Sequence, residues 1–246
     1  MAARRTAAHC PAPGIGSSDG CIASGASRPM EPIVPPTERT RLRRLHERGH
    51  YDRATIHGIL DAQPLAFVGW VVDGRPVVTP TLQWREGDRV YWHGSSASRA
   101  LRHQDGQEVC LTVAILDGFV LARSGFHHSV NYRSVMLFGR AFRVADPEEK
   151  RERLRQFIER LFPGRYATLR ADRPQELKAT TVLGMEIGEA SAKIRSGPPK
   201  DEEEDYALPI WAGVLPVRMV TGEPEADPRG LAGLEPPEYV RSFRLG

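Results

Sequence analysis

The sequence predicts a mainly β protein: an antiparallel barrel with a few flanking helices. Three observations predict it. Short apolar runs of strand length are separated by turn dipeptides, one clear amphipathic helix interrupts them, and no strand–helix–strand alternation of the parallel-sheet kind occurs. With 246 residues, 40% of them hydrophobic, the chain can bury one core of the larger β kind.

Taken in order, residues 1–38 hold 21 Ala, Gly, Ser or Pro and no apolar period able to offset the entropy of ordering. A disordered tail is expected there, with Met30 a candidate natural start. "DRATIHGILDAQ" (52–63) reads as a helix capped by Asp52, with Thr55, Ile56, Ile59 and Leu60 on one face. "LAFVGWVV" (65–72) and "RPVVTPTLQW" (75–84) are strands around Asp73-Gly74, a dipeptide suited to a two-residue hairpin. Pro80 lies mid-strand without an N–H, so the chain should be bulged or at an edge there. "REGD" (85–88) then turns into "RVYWHG" (89–94), completing a three-stranded meander.

After the Ser-rich "SSASRALRHQDG" (95–106), "EVCLTVAIL" (108–116) is expected to turn at Asp117-Gly118 into "FVLARS" (119–124). Residues 132–144 form a further strand whose two faces are both apolar, Met136 and Phe138 against Val135 and Leu137. Such a strand should be covered on both sides: by the barrel interior, and by either a partner subunit or the following helix. That helix starts at Asp146 as cap and Pro147 at its first position, with Glu149 placed to complete a capping box. Leu154, Phe157, Ile158 and Leu161 give it one apolar face for the surface of the β core. "TTVLGMEIGEASAKI" (180–194) closes the series as one long strand.

Composition excludes some function classes. The 34 basic residues nearly balance the 31 acidic ones without a basic cluster, so neither nucleic acid nor an anionic membrane is an expected partner. No run approaches the roughly 18 apolar residues of a membrane span, and no apolar leader follows Arg4-Arg5. Cys10, Cys21 and Cys110 lack metal-ligand spacing; the pattern is that of a reduced compartment, with Cys110 a small core residue. The expected location is the cytoplasm.

Beside the Pro80 strand "PVVTPTLQW" (76–84), whose neighbouring main-chain groups are free to meet a ligand unless it is a plain barrel edge, three stretches could carry chemistry. "HERGH" (46–50) matches H-E-x-x-H, but Gly49 interrupts the helix a zinc protease needs and no third ligand is near, so it reads as a solvated helix end. His127 and His128 point to opposite faces if extended, and the nearest carboxylate in sequence is Asp117; a shared metal is not expected. One of them near a ligand, or both structural, are the readings left open. "VYWHGSSASRALR" (90–102) ends a strand at His93-Gly94. If Ser96 caps a short helix, hydroxyls, backbone N–H groups and Arg99 with Arg102 converge as a terminal phosphate requires; a plain capped helix is the alternative. "DEEED" (201–205) reads as a solvated loop without chemistry.

Together, "TPTLQW", "VYWHGSSASRALR", "FHHSVNYRSVMLFGRA", "ELKATTVLGMEI", "SAKIRSGPPKD" and "IWAGVLPV" resemble the pyridoxamine 5'-phosphate oxidase-like superfamily, closest to its flavin-nucleotide-binding branch with the nitroimidazole reductases. The resemblance spans about residues 39–220, leaving 1–38 and 221–246 as tails. It implies an FMN-binding split β-barrel, usually a homodimer with one flavin in each of two interface clefts. Carried over by position, it implies that Val78, Thr79, Pro80 and Thr81 run beside the isoalloxazine ring and that His93, Gly94 and Ser95 border the flavin. Ser98 and Arg99 would hold the phosphate, Arg99 standing where relatives often have Lys. Ser134 and Val135 would contact the flavin from the next strand, and Trp211 would shape the cleft, in this subunit or the other. The basic and aromatic residues that bind pyridoxamine phosphate have no match here, so vitamin B6 oxidation is not inherited.

The expected cofactor is thus FMN, with FAD the alternative. The expected function is a flavin-dependent oxidoreductase taking a hydride from a reduced nicotinamide, NADH or NADPH, and passing electrons to a small acceptor. A flavin-binding module that stores, carries or senses its ligand without turnover is the alternative, and split barrels of this kind also bind haem or a deazaflavin. No protein acid or base is demanded, and no catalytic residue is assigned.

Overall fold

The computed structural model describes residues 36–231 and 233–245. Most of the expected N-terminal tail, including Cys10, Cys21 and Met30, lies outside the described residues. Ten strands form one antiparallel sheet, rolled into a split barrel. They are β1 (Gly49–His50), β2 (Leu65–Val72), β3 (Arg75–Glu86), β4 (Arg89–Ser95), β5 (Glu108–Leu121), β6 (Ser129–Arg140), β7 (Phe142–Arg143), β8 (Thr180–Glu186), β9 (Glu189–Arg195) and β10 (Gly213–Pro216). Their order across the sheet is β1-β9-β6-β5-β2-β3-β4-β8-β7, with β10 added beside β5. Five α-helices accompany them: α1 (Arg53–Ala62), α2 (Arg99–Gln104), α3 (Pro147–Leu161), α4 (Pro174–Ala179) and α5 (Glu238–Arg241).

The split arises because two long strands change partners. Strand β3 pairs with β2 from Arg75 to Leu82 and with β4 only from Gln83 onward. Strand β5 pairs with β6 along its length, while its other edge is divided between β2 at Cys110–Thr112 and β10 at Gly118–Leu121. The β2–β3 hairpin turns as expected, with Asp73 and Gly74 both at positive φ (49° and 73°). Pro80 faces Phe67 in unbroken register, so it sits on the edge of β3 left without a second strand, not in a bulge.

Alternation along the strands fills the barrel. Val68 and Trp70 of β2, Leu111 and Val113 of β5, Val135 and Leu137 of β6 and Val90 and Trp92 of β4 are all buried. Helix α1 enters the same core through Ile56, Ile59 and Leu60, and Asp52 caps it by accepting the Thr55 amide at 2.8 Å. A second, smaller core lies on the other face of β4. Trp84, Tyr91, Val144 and Val182 pack there with Phe142, Leu154 and Phe157, so α3 covers one outer face of the sheet. Asp146 accepts the Glu149 amide at 2.8 Å, but the Glu149 carboxylate faces Arg153 (3.8 Å), so only half the expected capping box forms.

Other expectations are corrected. Asp117-Gly118 is no hairpin: β5 runs straight through it, with a register shift between Leu116 and Gly118. Gly118 is not at positive φ, and both flanks pair with β6, so Asp117 becomes the extra residue of a bulge and bonds Arg133 at 2.9–3.3 Å. Residues 180–194 are two strands, because the chain breaks pairing at Ile187-Gly188 and passes from β4 to β6 as partner. Cys110 is not in the core: it lies half-buried on the outer face, opposite Gly69 and Phe138. Met136 on that face is 41% exposed, and α3 packs on β3 and β8 instead of covering it. Beyond residue 220, expected as a tail, the described residues carry α5 and return to the end of α3, with the Phe243 ring tilted against Phe162 at 4.9 Å between centroids.

Candidate functional site

The unpaired edge of β3, the end of β4 and the start of α2 enclose a cleft of about 150 Å³. Seven of the candidate residues line it: Thr79, Pro80, Thr81, His93, Gly94, Ser95 and Ser98. The N-cap of α2 is Ser98, not Ser96; its Oγ accepts the Leu101 amide at 3.4 Å, while the Ser96 amide donates to the Ala179 carbonyl. Ser95 Oγ in turn accepts the Ala97 amide at 3.2 Å. Arg99 follows at the first helical position and stands exposed beside the cleft. Arg102 bends back to the Ala97 carbonyl (3.2 Å), so it braces the loop.

Glycine is needed at position 94 for close approach. A Cβ there would lie 3.0 Å from Leu101 Cδ1, so the missing side chain lets α2 settle against β4. Two floor residues, Trp92 and Gln104, were not singled out from the sequence. The Trp92 indole N–H donates to Gln104 Oε1 at 2.9 Å, and both are buried. Helical spacing from Leu101 would have placed Gln104 inward, but its polar side chain masked that signal.

His93 belongs to two places at once. Its backbone joins the cleft wall, whereas its ring lies on the opposite side of β4 from Trp92, 4.8 Å from the Phe157 ring and 5.9 Å from Trp84. Nδ1 is buried without a hydrogen-bond partner, and burial lowers the imidazole's pKa. The ring borders a second cleft of about 240 Å³, walled by Leu154, Phe157, Ile158 and Leu177 and also by Tyr166, Asp172, Glu176 and Thr180.

The remaining candidates fall elsewhere in the single chain. Val78, 63% exposed, lies in a shallow depression of the outer sheet face with Gly69, Cys110 and Phe138. Ser134 donates to the Lys193 carbonyl at 3.3 Å, and Val135 is buried in the barrel core. Trp211 is 70% exposed and packs over Gly213. A larger cleft of about 740 Å³ opens on the outer face between Leu65, Phe67, Leu116, Met219 and the Arg133–Asp117 pair.

The histidine motifs also resolve. His46–Arg48 form one 3-10 turn and His50 is already in β1, so no helix carries both histidines of "HERGH". His128 Nδ1 lies 2.9 Å from the Ser124 carbonyl oxygen. His127 faces Asp201 at 3.7 Å and Glu202 at 3.8 Å, carboxylates distant in sequence, and not Asp117. The acidic run is therefore not wholly solvated. The Asp201 side chain is fully buried and accepts both the Arg123 amide and its guanidinium at 2.9 Å. Burial alone would raise the Asp201 pKa; the Arg123 contacts outweigh it and hold the carboxylate ionised. His127, Asp201 and Asp205 bring ligand atoms within 4.8 Å of one another, but Arg123 already supplies the positive charge there.

The family model described as pyridoxamine 5'-phosphate oxidase matches residues 52–194. A search of curated proteins finds no match. Among solved structures, the flavocytochrome Anf3 from Azotobacter vinelandii is 51% identical with a TM-score of 0.83, covering 86% of this chain and 99% of its own. The FAD and heme binding protein from Mycobacterium smegmatis is 40% identical with a TM-score of 0.77, covering 80% and 97%. More distant is a 5-nitroimidazole antibiotic resistance homologue from Bacteroides thetaiotaomicron, at 22% identity and TM-score 0.47, covering 59% and 86%. The cleft-lining segments from Thr79 to Gln104 fall inside the matched region, and the chain belongs to the pyridoxamine 5'-phosphate oxidase family.

Proposed function

We propose that the chain is a flavin-nucleotide-dependent electron-transfer oxidoreductase of flavocytochrome type, holding its flavin in the β3–β4–α2 cleft. One observation carries this reading: Ser95, Ser98, Gly94 and the unpaired edge Thr79–Thr81 surround a single cleft, and Arg99 follows Ser98 in the chain as the first, exposed residue of α2. Hydroxyls, free backbone groups and a guanidinium in one place suit a phosphate and its ribityl arm. FAD is favoured over FMN, since the M. smegmatis structure is of an FAD-binding protein at 40% identity. Haem enters the proposal from the same two relatives.

A bound flavin would supply hydride and single-electron chemistry. The chain's own part is to anchor the phosphate through Ser98 and Arg99 and to keep His93 neutral by burial. The 150 Å³ cleft takes only part of a flavin, so its ring would lie on surface shared with a second copy in a homodimer. The exposed outer face, with Leu65, Phe67, Val78 and Met136, supports that assembly. No helix among the described residues is long and apolar enough to cross a membrane, and a cytoplasmic site of action is part of the proposal. The electron donor is proposed to be a reduced nicotinamide and the acceptor a small planar molecule. Anaerobic mixing with NADH or NADPH should bleach the flavin absorbance, and a quinone or nitroarene should restore it. Protein that stays oxidised with both nucleotides would remove the nicotinamide step.

A further inference from the structure

We infer that the cleft between β4, α3 and α4 is a second ligand site, suited to a small uncharged aromatic carbonyl compound that accepts a hydrogen bond from His93 Nε2. It lies across β4 from the flavin cleft and requires no flavin. The two clefts meet at His93, whose backbone lines one while strand alternation turns its ring into the other.

Size sets the first limit. About 240 Å³ falls below the roughly 300–1,000 Å³ of pockets for drug-sized ligands, so one ring or two fused rings can enter and a macrocycle cannot. Polarity sets the second. Leu154, Phe157, Ile158 and Leu177 are half-buried and form an apolar floor, with the Phe157 ring 4.8 Å from His93 and 5.1 Å from Trp84. A flat ring can pack edge-on or offset against these aromatic faces. Asp172 and Glu176 stand exposed at the mouth. Asp172 accepts the Tyr166 hydroxyl and Glu176 pairs with Arg170, so neither leaves an unmet charge for a cationic ligand, and both oppose an anionic one.

The cleft is framed by its own hydrogen bonds. Glu159 accepts the Gly164 and Tyr166 amides at 2.7 and 2.8 Å, and the Tyr166 hydroxyl donates to Asp172 at 2.6 Å. Lys150 Nζ donates to the Leu177 and Thr180 carbonyls, both at 3.1 Å. These bonds hold α4 and the 3-10 turn Tyr166–Thr168 as a preformed wall, so a ligand need not order it on entry.

His93 selects the polar group of the ligand. No charge and no hydrogen bond acts on its ring, and burial alone keeps it neutral. Nδ1 is closed off without a partner, which leaves Nε2 as the nitrogen a ligand can meet. A neutral imidazole carries a single N–H. Placing it on Nδ1 would orphan a buried donor, the worse of the two unmet groups, so Nε2 carries the proton and serves the cleft as a donor. The matching ligand atom is an acceptor oxygen on an apolar ring, as in an aryl ketone, an aromatic aldehyde or a quinone.

The test titrates the full wild-type chain with acetophenone, its hydrocarbon counterpart ethylbenzene and its acid counterpart benzoate. Acetophenone should bind saturably at one per chain. Ethylbenzene should bind about tenfold more weakly, the loss of one hydrogen bond, and benzoate not measurably. The infrared carbonyl band of bound acetophenone should lie below its position in hydrocarbon solvent. In His93→Phe the band should return to that position, and the preference for acetophenone over ethylbenzene should vanish. Leu154→Trp should fill the cleft and abolish binding of both. Wild type that binds no acetophenone saturably overturns the proposal, whether or not the protein carries flavin. An unshifted carbonyl band in wild type, acetophenone held as tightly by His93→Phe, or binding unchanged in Leu154→Trp overturns it equally, and none of these results bears on the flavin cleft.

Discussion

Arg99 carries the clearest single-residue prediction. It is exposed at the first position of α2, next to the Ser98 cap and the cleft, and has a planar fork of donors that suits phosphate oxygens. Replacing it with Ala should leave the fold intact, because an exposed guanidinium contributes little to stability. Flavin affinity should fall by about 1.5–3 kcal/mol, the scale of hydrogen bonds to charged groups. Titration of the apoprotein with flavin nucleotide measures this directly, and unchanged affinity would place the phosphate elsewhere. At this scale the sequence was legible where neighbours in the chain make the site, as from His93 to Arg99. It was not legible for Asp201, whose partner Arg123 is 78 positions away and which looked like one more solvated acid in "DEEED".

Among the elements, helices read well because their caps are local. Asp52 and Asp146 each accept an amide three residues on, as their spacing implied. Strand ends read less well, since pairing is decided by distant residues. Asp117-Gly118 has the composition of a hairpin turn, yet β6 offers partners on both sides of it and the chain absorbs the dipeptide as a bulge. Helix α4 was missed altogether: six residues are too few to show a period. It is held by Lys150 of α3, a buried lysine whose Nζ donates to the carbonyls of Leu177 and Thr180, both at 3.1 Å. Burial, and then the nearby Arg143, lowers its pKa. Lys150→Met keeps the packing but deprives both carbonyls of their donor, and should cost about 2 kcal/mol in urea unfolding. It should also raise protease sensitivity around residues 166–179. A variant as stable as wild type would show that these bonds do not tie α3 to α4.

For the whole molecule, the outer face of β2, β3, β5 and β6 leaves large apolar side chains exposed among the described residues. Leu65, Phe67, Val78 and Met136 lie exposed there, and α3 goes to the other side of the barrel. A two-fold dimer would bury each of them twice, at about 1.5–3 kcal/mol per fully buried large side chain. Phe67→Asp should therefore raise the dimer dissociation constant by roughly two orders of magnitude while leaving the monomer folded. Light scattering across a dilution series would show it, and a wild-type protein that is monomeric at all concentrations would remove the shared cleft. The central claim, a flavin nucleotide in the β3–β4–α2 cleft, is tested most directly by the purified protein itself. Its absorbance spectrum should show the visible bands of oxidised flavin. Mass analysis of the released cofactor should give FAD at one per chain. Protein that carries no flavin, and takes up neither FAD nor FMN when either is supplied, would contradict the account.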